Sequence, residues 1–286
     1  MKFRVHHLYA AKLSITEHLF TKPLAQLKPL FKDGIVTSKN YLTEYESIWA
    51  LMDVQRLYIK ERELIIGVLC RGRDQNATIL DVASTIAHLK EDSVKNVATT
   101  CNFVFDYETE IVVFEEKVGK VSKLQFAEMF VKLILAHSPD LGEIDSELIP
   151  LANIIKEEIR KFKSIHYARF ELRPANWNDD DDFSDFDSKL KLLKTNKAIQ
   201  AYESQGGLNT ESELFRKPVN MVVAGYGKLD LKGIDKEGIG KQLNSENELL
   251  CQTIDAPDEE LVKAVGYYYE FLLKAIKQHK GASKDD

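Results

Sequence analysis

Two runs of strand-forming residues around a short polar loop constrain the possible fold of this chain more than any other feature of its sequence. Residues 99–105 and 111–115 are rich in β-branched and aromatic side chains, and residues 106–109 between them are polar or aromatic. This spacing predicts an antiparallel hairpin with a four- or five-residue loop. Ser122 and Gln125 then match a capping box, which predicts a helix start immediately after the hairpin.

Similar patterns recur along the chain. Residues 48–59 and 63–71 predict a second long hairpin, and the alternation over residues 165–173 predicts another strand. Helical spacing of apolar residues predicts a helix over 79–89 and a strong final helix that starts at Pro257. Hairpins interrupted by helices favour an α+β fold, with mainly antiparallel sheets packed against helices.

The length favours two domains, because 286 residues exceed the size at which one hydrophobic core usually suffices. Residues 162–187 form the natural division: an alternating strand is followed by a proline and then by six aspartates. We therefore predict an N-terminal α+β domain over 1–162, a C-terminal α+β domain over 163–280 and a flexible tail over 281–286. Glycines near residue 238 predict a turn between two strands, 228–234 and 246–254.

Composition excludes several protein classes. The hydrophobic share of 44% and the charged share of 29% are typical of a folded globular protein, not of a disordered one. No apolar run approaches the roughly 18 residues needed to cross a bilayer, and the first residues alternate as a strand does, so we expect a cytoplasmic protein without membrane insertion. Three widely spaced cysteines in apolar segments predict buried, reduced thiols, not disulfides or a zinc site: Cys70, Cys101 and Cys251.

The acidic cluster at residues 179–187 has two interpretations. Hard cations bind several carboxylate oxygens, so a metal-dependent hydrolase or nuclease could use Asp182, Asp185 and Asp187. The spacing does not match a calcium-binding loop, however, and we favour a solvated loop whose last acids cap the next helix.

Basic residues give the candidate phosphate contacts. Alternation places Tyr167, Arg169 and Arg173 on one solvent-facing stripe of a strand, together with Glu171. The other interpretation of this stripe is an ordinary polar sheet face.

Two further basic groups lie at the ends of predicted elements. Arg71 and Arg73 flank a glycine at a strand end. They would either contact phosphate or be ordinary surface residues of a turn. Lys120 and Lys123 lie at a helix start, where free N–H groups favour an anion, although a simple capped helix also accounts for them.

No catalytic or cofactor motif accompanies these residues. The sequence has no Walker loop, GxGxxG fingerprint, HExxH or GxSxG motif. We therefore expect no cofactor and favour a protein without catalytic activity. The tyrosines 267–269 suggest a third possibility, a protein-interaction module, because three consecutive residues of a helix cannot all face one core.

The layout of elements resembles the RexA family of phage-lambda exclusion proteins and uncharacterised bacterial families found near prophage and defence genes. The resemblance lies in the hairpin IWALMDVQRLYI/ELIIGVLCR, the segment NFVFDYETEIVVFEEKVGKVS, the strand end FELRPAN and the closing helix GYYYEFLLKAIKQHKG. It implies a homodimer of a larger domain and a smaller mobile one, which binds duplex DNA through its backbone with little sequence preference. It also implies an antiviral setting with a protein partner encoded nearby.

The leading hypothesis joins this resemblance to the basic residues. It is a non-enzymatic, dimeric protein of a phage-exclusion system that binds duplex DNA through Arg71, Arg73, Lys120, Lys123, Tyr167, Arg169 and Arg173. The formal net charge of −6 requires these cations to be concentrated locally.

Overall fold

The computed structural model describes residues 3–16, 24–36, 41–44, 47–73, 98–175, 183–257 and 261–281. The chain divides into two compact units, the first formed by Met1–Ser146 with Gln252–Leu273, the second by Glu147–Cys251 with Lys274–Asp286. Each unit has its own antiparallel sheet and helices, which confirms the predicted α+β class. The domain bounds 1–162 and 163–280 and the flexible tail 281–286 stay predictions. The helix predicted over 79–89 lies outside the described residues.

The first unit is built on a large sheet. Its strands are β1 (Phe3–Thr16), β2 (Tyr41–Glu44), β3 (Ser47–Ile59), β4 (Arg62–Arg73), β5 (Thr99–Asp106), β6 (Ile111–Glu116), β7 (Glu143–Leu148) and β12 (Cys251–Pro257). They lie in the order β12-β1-β6-β5-β4-β3-β2, and β7 also pairs with β1. Strands β3 with β4 and β5 with β6 form the two predicted hairpins.

Among the described residues, three helices contribute to this unit: α1 (Leu24–Val36), α2 (Lys123–His137) and α6 (Leu261–Gly281), the last of which continues into the second unit. The capping box of α2 is confirmed, because Ser122 Oγ accepts from Gln125 N at 3.2 Å and Gln125 Oε1 accepts from Ser122 N at 3.2 Å. The predicted start of α6 was wrong: Pro257 is the last residue of β12. No described helix is long and apolar enough to span a membrane.

Aromatic side chains fasten α2 to the sheet. Phe126 stacks on Phe114 of β6 with ring centroids 4.0 Å apart, and Phe130 meets Phe103 of β5 edge to face at 5.0 Å. All four rings are buried. Burial of such a side chain contributes roughly 1.5–3 kcal/mol, so this cluster accounts for a large part of the packing of α2.

Charged groups are also buried in the first unit. Lys12 Nζ lies 2.6 Å from Glu110 Oε2 and donates to Thr109 O at 2.6 Å. Arg62 donates to Asp106 Oδ2 at 2.8 Å, and the same oxygen accepts from Thr109 N at 3.1 Å. Buried charges need such partners, and these contacts fix the loop of the β5–β6 hairpin.

The second unit contains a four-stranded sheet in the order β11-β10-β8-β9. Its strands are β8 (Phe162–Leu172), β9 (Ala198–Glu203), β10 (Gly227–Asp235) and β11 (Gly240–Asn244), and its helices are α3 (Ala152–Arg160), α4 (Ser184–Leu192) and α5 (Glu213–Val223). The core on one face of this sheet includes Phe170, Leu172, Phe186, Phe215 and Val222.

The region of the glycines differs from the prediction. Gly233 lies within β10, where a Cβ atom would be 2.1 Å from the carbonyl oxygen of Ser164, so close strand approach requires glycine. Gly238, at φ +85°, makes the turn. The chain then forms β11, which the sequence did not predict, and residues predicted as a strand from 246 include a short 3₁₀ turn, Ser245–Asn247.

Candidate nucleic-acid interface

The outer face of the four-stranded sheet carries the candidate interface. Along β8, Ala168, Phe170 and Leu172 are fully buried, whereas Tyr167 and Arg169 face the other side, which confirms the predicted alternation. Buried and solvent-facing residues alternate because successive side chains of a strand point to opposite faces. The sheet therefore shields its apolar face with α4 and α5 and presents a polar one.

Strand β10 places a second line of charges beside β8. Lys232 pairs with Tyr167 and Asp230 with Arg169. Lys232 Nζ lies 5.5 Å from the centroid of the Tyr167 ring, a distance at which a cation is attracted to the ring face. The Arg169 side chain is 48% exposed and lies 4.0 Å from Glu171.

Two carboxylates of this face, Glu171 and Asp230, have partners of their own. Lys197 Nζ lies 2.5 Å from Glu171, and Asp230 accepts from Gln242 Nε2 at 2.8 Å. Partial burial opposes the shift, but the hydrogen bond from Lys197 lowers the pKa of Glu171. The charged residues of this face include Arg169, Lys228 and Lys232 together with Glu171, Glu203 and Asp230, and Lys197 directly precedes β9.

Arg173 lies past the end of β8 in a different environment. Its side chain is 13% exposed and its Nε lies 3.1 Å from Glu147 Oε1. Lys228 Nζ lies 3.5 Å from Glu147 and 2.9 Å from Glu246. Burial opposes the shift, but these two carboxylates raise the pKa of Lys228. The guanidinium of Arg173 thus belongs to a partly buried ion-pair network, and it does not lie on the solvent-facing stripe that the sequence predicted.

The remaining basic candidates lie in the first unit, where the structure brings Arg71 and Lys120 together. The Arg71 guanidinium lies 5.1 Å from the centroid of the Trp49 ring, and it donates to Ser47 Oγ at 3.2 Å and to the carbonyl oxygen of Lys120. Lys123 Nζ lies 4.8 Å from the centroid of the Tyr9 ring.

The sequence was compared with protein families and with curated proteins. The family described as a domain of unknown function, DUF4747, matches residues 7–270. The chain belongs to the DUF4747 family. No curated protein matches the sequence. Neither comparison supports the resemblance to RexA, and membership of DUF4747 assigns no function.

The acidic cluster of this DUF4747 protein is only partly described. Asp182 lies outside the described residues. Asp185 is exposed and its Oδ2 accepts from Lys217 at 2.8 Å; this hydrogen bond lowers the pKa of Asp185. Buried Asp187 accepts from the N–H of Ala175 at 2.7 Å. Among the described residues no group of three or more His, Cys, Asp or Glu side chains could hold a metal ion.

The expected cap of α4 is corrected by the same contacts. The N-cap residue is Phe183, which makes no side-chain hydrogen bond, and Asp185 and Asp187 lie within the first turn. Their negative charges still interact favourably with the positive end of the α4 dipole. Asp187 instead connects the helix to the chain segment that follows β8.

The sequence missed Lys232 as a candidate. It lies in a segment correctly predicted as a strand, but alternation alone does not tell which strand lies beside β8. The bulge between Lys232 and Gly233 further shifts the register with β8. Arg73, another predicted basic candidate, lies in the first unit of this protein. Its backbone belongs to β4, and its side chain lies outside the described part.

Proposed function

We propose that this DUF4747 protein binds duplex DNA without catalysis and with little sequence preference, through the outer face of its four-stranded sheet. The observation that carries the proposal is the juxtaposition of Tyr167, Arg169 and Lys232 on an open face. Cations of this kind contact phosphates, which positions a protein on nucleic acid without reading its sequence.

The local charge supports binding in spite of the net charge of −6. Glu171 is already neutralised by Lys197, and Asp230 accepts a hydrogen bond from Gln242. Arg169 and Lys232 therefore remain the strongest contacts for an anion on this face. Each neutralised phosphate releases counterions, and two contacts per copy predict a slope of about −2 in a plot of log affinity against log salt concentration.

A titration of labelled duplex DNA by fluorescence anisotropy at low salt tests the proposal. The double variant Arg169→Glu/Lys232→Glu should lose binding at least tenfold. The matched control Arg216→Glu/Lys189→Glu makes the same charge change at exposed positions of α5 and α4, on the helical side of the sheet, and should bind within about twofold of the parent. Equal losses in both variants, or no binding by the parent, would refute the proposal.

The variant Tyr167→Ala distinguishes binding of duplex DNA from binding of single-stranded DNA. Stacking of a base on an aromatic side chain is worth roughly 1–3 kcal/mol, and it requires an unpaired base. Binding through phosphates alone predicts that Tyr167→Ala weakens duplex binding little. A large loss confined to single-stranded DNA would replace the duplex with a single strand as the preferred ligand.

The proposed cellular role is a dimeric component of a phage-exclusion system that acts with a protein encoded nearby. Only the resemblance in layout supports this part. Plaque counts on cells that express the parent should fall below those on cells without it, and Arg169→Glu/Lys232→Glu should restore them. Unchanged plaque counts with the parent, tested together with the neighbouring genes, would exclude this role.

A further inference from the structure

Strand β9 forms an open edge of the second sheet in the described part of the chain, since it pairs with β8 only. Ser204 N donates to His166 O at 3.0 Å, which fixes the even-numbered residues of β9 as those bonded to β8. Hydrogen-bonded pairs alternate along antiparallel strands, so the backbone N–H and C=O groups of Ile199, Ala201 and Glu203 point away from the sheet. Such an edge is a template for another strand.

We propose that β9 pairs antiparallel with β9 of a second copy, with Gln200 at the centre. In this register Ile199 lies opposite Ala201 of the second copy, and each of these pairs exchanges backbone hydrogen bonds. Lys197 lies opposite Glu203 of the second copy. The strand is therefore complementary to itself.

Charge complementarity selects this register. Lys197 and Glu203 are both exposed on the outer face, and Glu203 has no ion-pair partner among the residues that the structure describes. A shift of the register by two residues would place Lys197 opposite Ala201 or Gln205 instead. Only the register centred on Gln200 pairs the two charges twice. Opposite charges directly across two strands stabilise their pairing.

Side-chain size fits the same register. Ile199 is 54% exposed, and Ala201 opposite it leaves room for the larger side chain. The available edge is short, because the Thr195 hydroxyl occupies both the N–H and the C=O of Lys197. One short strand buries less than the roughly 1,200 Å² of a stable interface, so we expect a concentration-dependent dimer.

Pairing would join two four-stranded sheets into one of eight strands, with both outer faces on the same side. The two β8 strands would then lie three strand spacings apart, about 14 Å. This consequence rests on the proposed DNA binding, since a second copy would contribute another Arg169 and Lys232 to the same surface.

Disulfide cross-linking of the full chain tests the register. Gln200→Cys, in a Cys251→Ser background that removes the exposed native cysteine, would place two thiols across a non-hydrogen-bonded pair, where Cα atoms are about 4.5 Å apart. Cys70 and Cys101 are buried, and burial raises the pKa of the Cys70 thiol to about 12, so neither should compete. Mild oxidation should yield a covalent dimer on a non-reducing gel.

Ala201→Cys in the same background is the matched control. It lies on the same exposed edge but faces Ile199 of the second copy, so it should cross-link at least fivefold less than Gln200→Cys. A higher yield from Ala201→Cys, equal yields, or no cross-link from either variant would overturn the proposed register.

Charge reversal gives a second, independent readout. Lys197→Glu and Glu203→Lys should each shift sedimentation towards the monomer, whereas the double variant Lys197→Glu/Glu203→Lys should recover the dimer. A double variant as monomeric as the singles would overturn the pairing.

The cross-linked protein separates this inference from the proposed function. The oxidised Gln200→Cys dimer should bind duplex DNA with a salt slope about twice that of the same protein after reduction and dilution to the monomer. A dimer that forms in the expected register but does not bind DNA would refute only the proposed function. DNA binding by a protein that never cross-links would refute only the pairing of β9.

Discussion

The sheets of the two units use charged side chains in opposite ways. In the first unit Lys12, Glu110 and Asp106 lie inside, each held by a charged partner. In the second unit Arg169 and Lys232 lie on an open face. The role of a charged side chain in a strand therefore depends on its burial. A buried charge with a partner contributes to stability, whereas an exposed one stays available to a ligand.

Among the substitutions that test this difference between the sheets, Lys12→Ala should have the largest effect on stability. Loss of the lysine leaves Glu110 buried without its cation, so we expect the free energy of unfolding to fall by about 3–5 kcal/mol. Urea denaturation followed by circular dichroism measures the change. The double variant Lys12→Met/Glu110→Gln removes both charges and should recover most of the loss. A fall below about 1 kcal/mol in Lys12→Ala would contradict the role given to this pair.

Asp187→Ala should have the next largest effect on stability. It allows a buried and an exposed carboxylate to be compared within one helix, α4. Its carboxylate accepts from the buried N–H of Ala175, and an unsatisfied donor costs about 1–3 kcal/mol. Asp185→Ala is the matched control, since its exposed pair with Lys217 is worth less than about 1 kcal/mol. The same urea titrations compare the two, and equal losses would show that Asp187 has no special structural role.

Helix caps should cost nearly the same in both units. Ser122 caps α2 in the first unit and Ser212 caps α5 in the second, each by accepting a backbone N–H. Each Ser→Ala variant should lose about 1 kcal/mol, measurable as a few degrees of melting temperature. Replacement by Gly should cost only a few tenths of that energy. A cost several times larger in one unit would show that the units differ in more than their charges.

The smallest effect on stability is expected from Arg169→Ala. An exposed arginine that lies 4.0 Å from Glu171 contributes less than about 0.5 kcal/mol, so the urea midpoint should stay nearly unchanged. Binding of duplex DNA should nevertheless weaken. A large loss of stability would place Arg169 with the buried charges of the first unit, and the contrast between the sheets would disappear.

Local patterns in the sequence predicted much of the fold. The two hairpins, the Ser122 capping box and the buried alternation of β8 each depend on residues close in the chain, so spacing and side-chain type were sufficient. β11 was missed because Gly238 and Gly240 suggested a turn, and the start of α6 because Pro257 suits both a first helical turn and a strand end.

The candidate site was predictable only in part. Tyr167 and Arg169 followed from alternation in one strand. Lys232 depends on which strand lies beside β8, and the engagement of Arg173 depends on Glu147, 26 residues away. Contacts between distant segments leave no periodic signal in a single sequence.

The buried ion pair of the first unit also bears on how the chain folds. Lys12 and Glu110 are separated by 98 positions, so they meet only after β1 has docked along β6 in the correct register. A slip by one residue would turn Lys12 to the opposite face of the sheet. If the pair forms after the rate-limiting step, its loss will accelerate unfolding and leave the refolding rate almost unchanged.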